Sequence, residues 1–114
     1  MNTALISGNL TRDAEFKKVG EKNTSLCKFS VASNDKQGDR EITEFHNVTV
    51  WGYHADACAG LQKGDSVFVE GRIQTRSYEK DGIKKYATDI VANAVYKALT
   101  MPKSKTETAE DVPW

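Results

Sequence analysis

With 114 residues the chain is long enough for one compact domain with a hydrophobic core and too short for two. Sixteen Lys and Arg balance sixteen Asp and Glu, so net charge gives no sign of a polyanionic partner, which must be sought in the local distribution. Two cysteines without CxxC spacing exclude a disulfide framework, no run approaches the roughly 20 apolar residues of a membrane span, and no signal peptide is evident. A cytoplasmic protein with two small buried thiols, Cys27 and Cys58, is expected.

Period-2 patterning and β-branched runs separated by turn residues point to an all-β barrel or sandwich. The first strand is TALISGNL (3–10), expected to bend at Gly8 and continue as a second piece around 15–19. After the polar break GEKN (20–23), SLCKFSVAS (25–33) places Cys27, Phe29 and Val31 on one face, with Lys28 and Ser30 on the other. NDKQGDRE (34–41) reads as a charged loop, and ITEFHNVTVWG (42–52) as a third strand. HADACAGLQKG (54–64) is Ala-rich and ends on Gly64, which predicts a single helix with a glycine C-cap. DSVFVEGRIQTRSY (65–78) and IKKYATDIVANAVY (83–96) are joined by EKDG (79–82), in which Asp81-Gly82 is a strong hairpin signal. Five strands with one helix between the third and fourth is the element order of an OB-fold, a five-stranded Greek-key barrel.

The third strand sets Val48 and Val50 on one face with His46, and Phe45, Asn47, Thr49 and Trp51 on the other. The valines mark the core side, which leaves two large aromatics beside an amide and a hydroxyl on the open side. The fourth strand repeats the division, with Val67, Val69 and Ile73 expected inside and Phe68, Glu70, Arg72, Gln74, Arg76 and Tyr78 outside. Between Arg72 and Lys97 six basic residues stand against three acidic ones, a local charge of +3. Aromatics interleaved with cations on an open β-surface suit a single nucleic-acid strand, whose bases stack and whose phosphates need counter-charge. Duplex suits it less, since its base faces are hidden and no recognition helix is evident. An RNA- or tRNA-binding module and a protein-interaction face remain alternatives on this pattern.

GNL (8–10), TEFHNVTVWG (43–52), LQKGDSVFVEGRIQTRSY (61–78) and KKYATDIVANAV (84–95) closely resemble the bacterial single-stranded DNA-binding protein family, in order along residues 1–97. The resemblance implies an OB barrel assembled as a homotetramer, with single-stranded DNA wrapped over it and stacked on Phe45, Trp51 and Tyr78. His46 falls at the family's histidine position near the subunit interface. Arg72, Arg76, Lys84 and Lys85 are expected to meet phosphates. The family often carries another stacking aromatic after the second strand; NDKQGDRE has none, so Lys36 and Arg40 supply only charge there. The function implied is sequence-nonspecific binding and protection of single-stranded DNA in replication, recombination and repair, in the nucleoid-associated cytoplasm.

No catalytic constellation is evident, so a non-enzyme without cofactor is expected. His46, His54 and Cys58 are scattered candidate ligands without a paired motif, and no metal site is assigned. The barrel is expected to occupy residues 1–99, followed by a polar linker without period at 100–109. Residues 110–114 then resemble the acidic tip of the same family: Glu110 and Asp111 supply acids, Val112 an aliphatic, Pro113 a rigid turn, and Trp114 stands where phenylalanine is usual. An aromatic beside a free α-carboxylate suits capture in an apolar pocket with a basic rim. The tip is therefore expected to recruit replication, recombination and repair proteins.

Overall fold

The computed structural model describes residues 1–99; the expected linker and tip, including Glu110, Asp111, Val112, Pro113 and Trp114, lie outside the described residues. In chain order the elements are β1 (Ala4–Leu10), β2 (Glu15–Val19), β3 (Thr24–Gln37), β4 (Arg40–Trp51), α1 (Tyr53–Cys58), β5 (Ser66–Lys80) and β6 (Ile83–Lys97). β1 and β2 both run antiparallel to β3, so they form one strand interrupted at 11–14, after a continuous stretch through Gly8. The sheet order β1-β5-β6-β4-β3-β2, with β1 also pairing β3, closes the five-stranded OB barrel foreseen from the element order. Among the described residues no helix is long and apolar enough to cross a membrane.

The core follows the alternation of the strands. Cys27, Phe29 and Val31 of β3, Val48 and Val50 of β4, and Val67 and Val69 of β5 all point inward and are buried. Ala55, Cys58 and Leu61 belong to the same cluster. In β6 the inward set is Ile90 and Ala92, but beyond them it is Val95 that packs against the core. The cause is a register shift: Glu70 pairs with Ala94 while Gly71 pairs with Ala92, so Asn93 is an extra residue and the parity of β6 flips. Gly71 sits at this shift because a Cβ there would collide with the carbonyl of Val91.

Three expectations are corrected. The helix is six residues long and ends at Cys58, with Ala59 as its C-cap. Leu61 must turn inward, its carbonyl accepts from the Ala14 amide, and Gly64 donates to the Leu10 carbonyl, so the backbone from 60 to 64 is bonded to the first strand. The charged segment 34–41 is mostly strand, since β3 and β4 stay paired out to Gln37 and Arg40 around a two-residue turn. Its polar side chains carry no apolar alternation because the arm has left the barrel, and Thr43 Oγ1 donating to Asn34 Oδ1 at 2.6 Å supports it instead. Ile73, expected in the core, is 47% exposed: β5 leaves the barrel after Gly71, and every residue from Arg72 to Lys80 is exposed. The hairpin at Asp81-Gly82 forms as expected, both residues having the positive φ (54° and 76°) of a two-residue turn.

Candidate functional site

Two long hairpins project from the barrel, β3–β4 and β5–β6, and between their bases lies an open sheet face. Its geometry follows from register. Lys28 pairs with Thr49, Thr49 with Val91 and Val91 with Arg72, which aligns four side chains across four strands. The next row is Ser30, Asn47, Asp89 and Gln74. Trp51 stands beside the first row, opposite Leu26, and Phe45 one step beyond the second, opposite Ala32.

The expected aromatics are on this outer side. Phe45 is 69% exposed, Trp51 46% and Tyr78 42%, against 1% for Val48 and 0% for Val50. Trp51, Leu26, Thr49, Gln74 and Val91 line a depression of about 240 Å³. A second, of about 200 Å³, is lined by Arg12, Glu15 and Asn47 and shares Lys28, Thr49, Arg76 and Asp89 with the first, so the two form one shallow groove.

The cations divide. Arg72, Arg76 and Lys85 share the outer parity of Gln74 and Tyr78, since Tyr78 pairs with Lys85 and Arg76 with Ala87. Arg76 Nε donates to Asp89 Oδ2 at 2.8 Å, and this hydrogen bond, then the Asp89 charge, raises the guanidinium pKa above its ordinary value. Its guanidinium also lies 6.0 Å from the Tyr78 ring. Lys84, another expected phosphate contact, pairs with Glu79 and has the opposite parity, facing the reverse of the hairpin. Lys36 follows the outer parity at the end of the β3–β4 arm, whereas Arg40, opposite Gln37, has the other.

Phe68 is separated from the groove. It pairs with Ser7 and Tyr96, its ring 6.2 Å from that of Tyr96, and with Leu5 it forms an exposed apolar patch on β1, β5 and β6. The sequence pattern grouped it with Arg72 and Tyr78 because parity is blind to how the barrel curves. Lys28 and Arg12 are the reverse case, groove residues unassigned from sequence. Lys28 was legible as outward-facing on its strand, but only the β3–β4 register brings it beside Thr49 and Trp51.

Among the described residues no three His, Cys, Asp or Glu side chains gather to hold a metal ion. His46 Nε2 is 3.0 Å from Ser33 Oγ, and His54 lies near Cys58 in a separate depression. Cys27 and Cys58 are buried free thiols; desolvation, then the proximity of Cys27, pushes Cys58 up to about 11.

Residues 1–98 match the model of the single-strand binding protein family. The chain is 40% identical over 100 residues to single-stranded DNA-binding protein 2 of Clostridium acetobutylicum, covering 83% of this chain and 74% of that one. Against the single-stranded DNA-binding protein of Neisseria meningitidis the identity is 43% over 100 residues, 82% of this chain and 57% of the relative. The alignment with the Staphylococcus aureus single-stranded DNA-binding protein, 33% identical over 118 residues, covers 98% of this chain and 73% of that one. In structure the chain resembles the crystal structure of a deletion mutant of the Thermus aquaticus single-stranded DNA binding protein, with a TM-score of 0.76 and 28% identity over 87% of this chain and 51% of that one. The barrel, its groove and these matches together place the chain in the single-strand binding protein family.

Proposed function

We propose that this chain binds single-stranded DNA without sequence preference, protecting it during replication, recombination and repair. The observation that carries this reading is the groove itself: Trp51 and Phe45 offer exposed ring faces on the same sheet surface as Lys28, Arg72, Arg76 and Lys85. A base stacked on an aromatic contributes about 1–3 kcal/mol and is sequence-tolerant, while the cations track the backbone. Lys36 and Lys84 extend the positive charge along the two arms, with Arg40 at the β3–β4 turn.

The working form is a homotetramer. Two features support this: the apolar patch of Leu5, Phe68 and Tyr96, and the β1 edge, which meets β3 only at Asn9 and Leu10. The tip, Glu110 to Trp114, recruits replication, recombination and repair proteins, its acids and terminal indole suiting a basic-rimmed apolar pocket. Ten linker residues reach about 35 Å when extended, so such partners dock close to the barrel.

The test is tryptophan fluorescence titrated with dT oligomers at two salt concentrations, with the mass of the complex measured alongside. Trp114 is replaced by phenylalanine so that the signal comes from Trp51. Quenching that weakens steeply with salt, poor competition by duplex and a tetrameric mass are expected. Binding indifferent to salt, equal competition by duplex, or tighter binding of RNA overturns the reading, and a monomeric mass overturns the assembly. Deleting Val112–Trp114 should abolish capture of replication and repair proteins while leaving dT binding intact or slightly tighter; loss of dT binding would sink the role of the tip.

A further inference from the structure

β4 and β6 are paired only over three positions, Asn47–Thr49 with Asp89–Val91. Before those positions both strands run outward in different hairpins, which leaves an opening between the arms. A cavity of about 210 Å³ lies there, lined by Phe45, His46 and Asn47 of one arm and Ile73, Thr88 and Ile90 of the other. Phe45 belongs to the open face by parity, whereas Ile73, Thr88 and Ile90 have the inward parity that turns to the reverse side once β5 and β6 leave the barrel. The opening therefore joins the two faces.

Farther along that reverse side stand Tyr86 and Lys84. Tyr86 is 66% exposed, and Lys84 Nζ lies 5.7 Å from the centre of its ring. Their surroundings are Thr75, Ser77 and Glu79 on β5 and Thr88 on β6, with Glu79 directly across from Lys84. Among the described residues Lys84 forms no ion pair. An exposed ring next to a cation, bordered by hydroxyls and one carboxylate, repeats on the reverse side the chemistry of the groove, where Arg76 likewise stands beside Asp89.

Resting on the function proposed above, we propose that Tyr86 is a further stacking platform for the same single strand, with Lys84 as its phosphate contact, reached by DNA passing from Phe45 through the opening between the arms. This position supplies a stacking contact that the β3–β4 arm lacks, since residues 34–41 contain no aromatic. A second copy of the chain fits this strip less well. Leu5, Phe68 and Tyr96 form an apolar patch elsewhere, whereas the border of Tyr86 is hydroxyl-rich and charged.

The experiment compares dT oligomers of about ten nucleotides, short enough for one groove, with oligomers more than twice that length. Full-length wild type, Tyr86→Ala, Tyr86→Phe, Lys84→Ala and Trp51→Ala are titrated, their folding checked by thermal melting and their assembly by mass. Tyr86→Ala should bind the short oligomer like wild type and the long one about 5- to 100-fold more weakly, with Tyr86→Phe restoring it. Long dT carrying iodouridine should photocrosslink to the peptide that contains Tyr86. Unchanged long-oligomer affinity, an equal loss at both lengths, or a fall in assembly mass without a length effect overturns the proposal, the last by assigning Tyr86 to a subunit contact. Trp51→Ala without effect on the short oligomer would instead count against the groove reading, so the two failures are distinct.

Discussion

Arg76 and Asp89 hold each other in the middle of the groove, Nε to Oδ2 at 2.8 Å, with the Asp89 side chain 13% exposed. The aspartate faces Gln74 and Asn47 in register, so a fixed negative charge sits where phosphates are proposed to run, and it cancels one of the cations around it. Asp89→Asn keeps an oxygen acceptor but removes that charge. It should tighten dT binding severalfold at low salt and steepen the dependence of log affinity on log salt by up to about 0.7, the increment for one more phosphate neutralised on a single strand. Titrations over a series of salt concentrations check this; an unchanged or shallower slope would show that Arg76 already engages phosphate despite Asp89.

Trp51 and Val50 are adjacent in sequence and opposite in environment. Trp51→Ala should lower dT affinity by about 1–3 kcal/mol and leave the unfolding midpoint nearly unchanged. Val50→Ala removes two buried carbons and should cost about 2 kcal/mol of stability, with little effect on binding to the fraction that remains folded. Urea denaturation and fluorescence titration of both variants decide the matter, and the inverse pattern would mean that the faces are reversed.

Ile73 gives a sharper check on where the barrel ends. Although its parity matches that of Val69, Ile73→Thr should change stability by no more than about 0.5 kcal/mol, because the side chain is already half in water. Val69→Thr buries a hydroxyl in the apolar core and should destabilise by about 2 kcal/mol or more. Comparable losses at the two positions in urea denaturation would place Ile73 in the core.

Cys58 makes stability depend on alkaline pH. Its folded-state pKa is raised from the ordinary 9.0 to about 11, so the native state retains a proton that the unfolded chain gives up. The thiol's contribution is intact below 9.0 and is lost progressively as pH rises toward about 11, by at most about 3 kcal/mol. Cys58→Ala should flatten the stability profile over that window. In the native protein at neutral pH both cysteines should resist thiol reagents until unfolding exposes them, and rapid labelling of the folded state would contradict their burial.

Much of the barrel could be read along the chain because strand alternation is local. Val48 against Phe45 and Trp51, and Val67 and Val69 against Arg72 and Tyr78, differ in residue type with the period of the backbone itself, and the Asp81-Gly82 turn is fixed by two consecutive left-handed residues. What alternation cannot convey is how far each strand stays on the barrel and what lies beside it. Ile73 is apolar and on the core parity yet exposed, because β5 outruns the layer that could cover it. Asn93 shifts β6 by one residue, a change visible only against its partner strand. The polar arm at 34–41 pairs as sheet without an apolar period, since neither of its faces has a core to meet. The groove is likewise a tertiary object. Sequence by itself determined the outward aromatics and cations of single strands, but only the pairings of β3 with β4, β4 with β6 and β6 with β5 brought Lys28 beside Trp51, tied Arg76 to Asp89, turned Lys84 to the far side and sent Phe68 to another surface. The physical reason is that a strand specifies which of two faces a side chain occupies, whereas its lateral neighbours come from register between segments tens of residues apart.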